Sequence, residues 1–378
     1  MKVAQTVLQD ASTLAAALAP LAAISPHLVL MFGSVPLMQA CSEGLADVFA
    51  AAHRVGCSTA GEISAGGVTD GTCVVSAIHF EHTQVALAST RLQSMDDSLA
   101  AGRRLAQALP LQGLRAVLVL GQGVQINGSA LLAGMTDVIG VHVPITGGLA
   151  GDGGAFKQTW VLDDTGLASD RLACVGFYGE RLLFSHGSFG GWSPFGPARK
   201  VTRCESNVLF ELDGEPALDV YKRYLGDYAK DLPASGLLFP FAMLGSDHNE
   251  LGLIRTILGV DEMQGSLTLA GELEPDGYLR LMHASTDALV EGAEAAAQAA
   301  RQMGTHPGEG LALLVSCVGR KLVMGGRVDE EVEAVGEVFG QGATLAGFYS
   351  YGEISPFSRA VECKLHNQTM TITYLAET

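Results

Sequence analysis

Positive charge is scarce in this chain: 23 Lys and Arg stand against 40 Asp and Glu, a formal net charge of −17 over 378 residues. Nonspecific nucleic-acid binding rests on clustered Lys and Arg, and the bases here are scattered, so neither nucleic acid nor an anionic membrane surface is an expected partner. Charged residues make up only 17% and hydrophobic ones 48%, which argues against extensive disorder and for a well-buried fold. Long apolar runs are missing as well. No stretch of about 18 such residues occurs, so no membrane span is expected. The first twenty residues carry one lysine, with Gln5, Asp10 and Ser12 interrupting the apolar positions, and lack the form of a signal peptide. Cysteine is sparse and odd in number, seven, with no C-x-x-C, and the ten histidines form neither H-x-x-x-H nor H-E-x-x-H. The expectation is reduced thiols in a cytoplasmic protein, with no disulfide framework and no zinc site.

What the chain does have is an internal repeat, the first thing to look for in a sequence of this length. Val55-Gly-Cys-Ser-Thr-Ala-Gly-Glu-Ile-Ser64 and Ala346-Gly-Phe-Tyr-Ser-Tyr-Gly-Glu-Ile-Ser355 share one frame, with Gly56 matching Gly347 and Gly61-Glu62-Ile63-Ser64 matching Gly352-Glu353-Ile354-Ser355. Around them the same order of elements recurs three times: helix, apolar strand ending in a glycine turn, second helix, then three strands. In the first unit a helix over about 12–24 precedes the strand 28–32, a helix over 41–54, and strands 73–80 and 85–92. In the second the helix ends near Leu109, the strand is 116–120, the next helix 129–139, and Val143 to Asp152 stands where the Gly-Glu motif stood. Strands 158–162, 173–178 and 182–186 complete it. The third has an alanine-rich helix over 287–303, strand 311–316, helix 329–339, and one last strand over 363–375.

A segment of about 90 residues breaks this plan. It opens on Phe189-Gly-Gly-Trp-Ser-Pro-Phe-Gly-Pro197, whose glycines and prolines suit a linker. A helix starting at Pro216 and a turn at Glu274-Pro-Asp-Gly277 follow. The expected class is α/β, with about three strand-helix-strand units forming mixed sheets covered by helices, in two associated modules, 1–195 and 196–378.

The chemistry-bearing residues are few. Aligning the repeats sets Gly61-Glu62, Gly151-Asp152 and Gly352-Glu353 at matching corners, where a carboxylate either orders the turn or receives a ligand cation. Gly121-Gln-Gly-Val-Gln-Ile-Asn-Gly128 follows a strand and precedes a helix, but its spacing misses the dinucleotide fingerprint, so it reads as a tight turn. Gly56-Cys-Ser-Thr-Ala-Gly61 is one residue off a nucleophile elbow, and Cys57 has no base that the sequence can place beside it. His283 shares a strand face with Leu279 and Leu281 and is expected to point inward. His366 sits in a polar island of the last strand. Trp192, Phe195, Tyr349, Tyr351 and Phe357 are candidates for an aromatic rim between the halves.

Gly56 to Ile63, the passage Ser185-His-Gly-Ser188 to Trp192-Ser-Pro-Phe195, Phe210-Glu-Leu-Asp-Gly-Glu-Pro-Ala-Leu218, Gly347 to Ile354 and Leu365-His-Asn-Gln-Thr369 together resemble the FIST sensory proteins over nearly the whole chain. The resemblance implies a bacterial, non-enzymatic signal-transduction input that binds a small ligand in a cleft between modules. It makes haem b a candidate cofactor with nitric oxide as the signal, an amino acid the alternative ligand, and a separate histidine kinase the output partner, with homo-oligomerisation left open. On this reading Cys57, Ser58, Thr59, Glu62, Asp152, Tyr349, Tyr351 and Glu353 are the candidate ligand-binding residues, and His283 and His366 the candidate axial haem ligands. A rival enzyme would use Cys57 or the pair Glu62 and Glu353.

Overall fold

The computed structural model describes residues 1–304, 309–357 and 362–378. Three six-stranded sheets share one strand order. Sheet one runs Lys2–Leu8, Cys73–His79, Leu28–Gly33, His53–Ser58, Val161–Asp163, Gly166–Ala168. Sheet two runs Gln84–Arg91, Arg171–Tyr178, Leu114–Gly121, Ile145–Leu149, Gly352–Pro356, Cys363–His366. Sheet three runs Leu182–Phe189, Met370–Glu377, Gly310–Cys317, Ala343–Ser350, Glu62–Ser64, Gly67–Thr69. In each, the third and fourth strands are parallel and the other neighbours antiparallel.

The repeat is therefore real, and its frame differs from the expected one in two ways. Strands 84–91 and 182–189, expected to close the first and second units, instead open sheets two and three. The last two strands of every sheet are a hairpin lent by another unit. The second unit lends 161–168 to sheet one, the third lends 352–356 and 363–366 to sheet two, and the first lends 62–69 to sheet three. The exchange is cyclic.

The central strands are apolar on both faces because both faces are covered. Leu28, Leu30 and Phe32 meet Ala116, Leu118 and Leu120, and Leu311, Leu313 and Val315, in one core shared by the three sheets. The alternate residues of those strands pack outward on helices: Val29 and Met31 on Leu18, Leu21 and Leu45; Val117 and Val119 on Ala101, Leu105 and Leu131; Ala312 and Leu314 on Ala293, Ala296 and Ala300. The alanine stripe lets the helix Thr286–Gln302 lie close to sheet three, where a Cβ on Gly187 would fall 2.0 Å from the Ala296 carbonyl oxygen. The first unit's second helix spans Val35–Val48, not 41–54, since Ser34 and Pro36 start it early and the chain turns after Phe49 to reach the strand at His53.

The 90-residue segment is an insertion between the first strand of sheet three and the helix Thr286–Gln302. It builds a fourth sheet and the helix Ala217–Leu225 around its own core of Leu209, Leu212, Leu218, Tyr221, Phe241 and Leu281. The chain leaves sheet three at Phe189 and enters this sheet at Ser193–Pro194. The turn at 274–277 forms as expected, with the positive φ taken by Asp276.

Candidate ligand-binding site

Most of the candidate ligand-binding residues lie at the strand-to-loop corners. Gly56, Gly147 and Gly347 occupy one position in the three sheets: a Cβ on any of them would lie 1.9 Å from the carbonyl oxygen of Met31, Val119 or Leu314. Counting from them, the corners at Glu62 and Glu353 are copies. Glu62 accepts from the Thr59 hydroxyl at 2.5 Å and from the amide and hydroxyl of Thr72 at 3.0 and 2.9 Å. Glu353 accepts from the Ser350 hydroxyl at 2.7 Å and from the amide and hydroxyl of Thr369 at 3.2 and 3.1 Å. Both carboxyls are buried, and burial raises both pKa values, Glu353 up to about 8. The register places Val161, not Asp152, at the equivalent position in the second unit, since Leu162, Ile63 and Ile354 face Gly56, Gly347 and Gly147.

The residues between are equally enclosed. Cys57 is fully buried in the shared core, which pushes its thiol pKa well up. The Ser58 hydroxyl donates to the Gly151 carbonyl at 2.6 Å and accepts from the Trp160 amide. Tyr349 is buried and donates to Glu331, which also receives the Ser316 hydroxyl and the guanidinium of the buried Arg320 at 2.7 Å. These groups are satisfied by one another and order the corners.

Asp152 and Tyr351 differ. Asp152 accepts from the amides of Phe156, Lys157 and Gln158 and from the Tyr351 hydroxyl. The Tyr351 oxygen in turn accepts from the amides of Asp152 and Gly154 at 3.2 and 3.0 Å. The Tyr351 ring stacks on Phe156 with centroids 4.1 Å apart and planes 14° from parallel. This strapped loop forms part of the wall of a cavity of about 1260 Å³ between the end of sheet two and the inserted sheet.

The rest of the wall comes from segments far apart in sequence: 123–128 with the start of the helix Gly128–Ile139, Leu365 and Asn367 from the body, and 205–208, 231–237 and 268–271 from the insertion. Asn127 caps that helix, its side-chain oxygen accepting from the Ala130 amide at 3.0 Å. Gly123 is required because a Cβ there would lie 1.8 Å from the Ala150 carbonyl oxygen. The sequence did flag 121–128 as a glycine turn, but no local signal tied it to a site. Of the eight candidate ligand residues, Tyr351 lines this cavity and Asp152 holds it in place; Cys57, Ser58, Thr59, Glu62, Tyr349 and Glu353 do not line it.

A smaller cavity of about 500 Å³ lies under the start of the insertion, with Trp192, Arg280, Met282, Phe357 and His366 on its wall. His366 is buried, which lowers its pKa to about 4, and its Nε2 donates to the Ser355 carbonyl at 2.9 Å. The polar island around it is a turn: strands end at His366 and restart at Met370, with Gln368 at φ 62°. His283, expected to point inward, is exposed at the end of its strand, edge-on to Phe195. Of the five rim candidates, Trp192 and Phe357 line the smaller cavity, Tyr351 the larger one, and Phe195 and Tyr349 neither, so they do not form one rim.

A family model described as FIST N domain matches residues 27–215, and one described as FIST C domain matches residues 217–356. The chain belongs to the FIST family. FIST domains are signal-transduction sensor domains for small ligands. An uncharacterized protein of Methanocaldococcus jannaschii is 35% identical over 97 residues, which is 25% of this chain and 19% of that protein, so the FIST chain spans about a fifth of that relative's length. Among solved structures, a cyanuric acid hydrolase from A. caulinodans aligns over 100% of this chain and 99% of its own with a TM-score of 0.38 and 10% identity. A second cyanuric acid hydrolase gives 0.34 and 8% over the same shares. Likeness at that level says nothing about chemistry.

A haem, expected from the FIST resemblance, meets two different walls. The large cavity offers no His, Cys, Lys or Arg among the described residues, hence neither an imidazole or thiolate for iron nor a cation for propionates. The small one offers His366 as a neutral imidazole and Arg280 as a cation. Among the described residues, no helix is long and apolar enough to cross a membrane, and no group of three or more His, Cys, Asp or Glu could hold a metal ion.

Proposed function

We propose that this FIST protein is a non-enzymatic sensor whose small organic ligand occupies the 1260 Å³ cavity between sheet two and the inserted sheet. The observation that carries the reading is the make-up of that wall: a largely apolar concavity, a few polar groups, and two separately cored bodies on either side. A ligand touching both bodies can bias their relation only through different affinities for the two arrangements. Burial of Cys57, Glu62 and Glu353 away from this wall supports sensing over catalysis, since a nucleophile or base must reach its substrate. The output partner in this reading is a separate histidine kinase in the cytoplasm.

The test is capture. Wild-type protein and Ala234→Trp, a filled-wall variant at an exposed lining position, are equilibrated with a metabolite extract, desalted, and analysed for retained small molecules by mass spectrometry. A compound held by the wild type and lost from the variant is the expected result; equal retention by both, or none by either, counts against the reading.

The smaller cavity supports a second reading, haem held by His366 with Arg280 near a propionate, because that imidazole is neutral and buried. Bound haem would supply an iron for a diatomic gas such as nitric oxide. Reconstitution should then give a Soret band that His366→Ala removes and His283→Ala leaves intact. No band, or one indifferent to His366, ends this reading.

A further inference from the structure

We propose that the large cavity takes a cationic or uncharged ligand with a flat apolar body and an N–H donor, and rejects anions; this rests on the ligand-sensing reading above. Charge is the first observation. Among the described residues the wall carries Asp96, Glu205 and Asp231 and no Lys, Arg or His, in a chain of net charge −17. An anion on that wall would meet three like charges and no basic side chain. Two cationic features lie behind the wall. The buried Arg255 guanidinium, next to Gly271, is taken up by the carbonyls of Glu272, Ile254 and Leu365 and has the Glu272 charge beside it. The amino end of the helix Gly128–Ile139 is capped by Asn127, itself held by the Glu272 carboxylate at 3.2 Å.

The second observation is independent of charge. Asn367 is 2% exposed and lines the cavity, and its Oδ1 has no hydrogen-bond partner, while its Nδ2 donates to the His366 carbonyl at 3.0 Å. That donation fixes which side-chain atom is oxygen. A buried acceptor without a donor is costly, so a ligand N–H that reached it would gain more there than at an exposed group. The third is shape. Phe156 and Tyr351 form a stacked pair on the wall, and the Asp152 bonds hold its tyrosine in place. A further ring laid on such a pair gains contact area, and a cation gains the ring's negative face as well.

The experiment uses one ring at three charges: tryptamine, indole and indole-3-acetate, with binding to the full chain followed by ligand-observed NMR titration. Tryptamine and indole should bind at least tenfold more tightly than indole-3-acetate, Ala234→Trp should abolish that binding, and Asn367→Leu should weaken it about tenfold. Tryptamine binding should also weaken with added sodium chloride while indole binding does not, a readout that stands if Asn367→Leu fails to fold. Indole-3-acetate binding as tightly as tryptamine, and lost in Ala234→Trp, would overturn the charge preference and leave the cavity reading intact. Binding that survives Ala234→Trp would overturn the cavity reading itself. Binding by none of the three at millimolar concentration would overturn the flat-body assignment.

Discussion

Glu353 shows how much of this fold is decided by single buried groups. It lies in the corner with its oxygens taken by Ser350 and Thr369, and burial pushes its pKa up to about 8. The unfolded chain releases this proton near pH 4.5, the folded chain near 8, so between those values the folded state holds more protons and stability falls as pH rises. Glu353→Gln keeps the shape and removes the titration. Denaturant unfolding from pH 5 to 8 should therefore show a shallower loss in the variant than in the wild type; parallel curves would contradict the burial account. Glu377 acts in the opposite sense. Burial works to raise its pKa, but the amides of Glu81, His82 and Thr83 outweigh that and hold it at about 2, so its contribution is lost as pH falls from 4.5 toward 2. The matched pair Glu62 and Glu353 was legible in the sequence. The third member was not: Asp152 follows a glycine as they do, yet the loop after it is longer, and only the sheet register shows that Val161 takes the equivalent place.

At the scale of elements, the central strands and most helices could be read directly, because a strand buried on both faces must be apolar throughout and a helix on a sheet must carry a 3.6-residue stripe. The helix expected over 329–339 is found at Asp329–Phe339. What could not be read is which sheet a short hairpin joins. The strands 62–64, 161–163 and 352–356 join their sheets through partners 104 to 286 residues away, and nothing local encodes that choice. The glycine at the crossing does leave a trace. At Gly347 a methyl group would strike the backbone of Leu314, where no side chain can give way. Gly347→Ala should cost about 3 kcal/mol, at the upper end of overpacking effects, whereas Gly304→Ala, with nothing among the described residues within 4 Å of the added carbon, should cost far less. Equal melting temperatures for the two variants would refute the close crossing.

For the whole molecule, the cyclic exchange makes the two family-matched regions interdependent. Sheet two needs 352–356 and 363–366 from the C-terminal half, and three of the six strands of sheet three, 182–189, 62–64 and 67–69, come from the N-terminal half. A fragment 1–195 would expose the shared core, and should show no cooperative unfolding until fragment 196–378 is added; a sharp transition for 1–195 alone would contradict this topology. The cavity belongs to this scale too, which is why the sequence concealed it. Its wall is assembled from turns and an inserted sheet that are each unremarkable in isolation. Hydrogen–deuterium exchange with the molecule that the wild type captures tests the central claim most directly. Amides at 123–128, 153–156 and 268–271 should exchange more slowly in the complex, on both sides of the large cavity. Protection confined instead to 190–192 and 252–254, around the smaller cavity, or protection nowhere, would contradict the assignment of the sensing site.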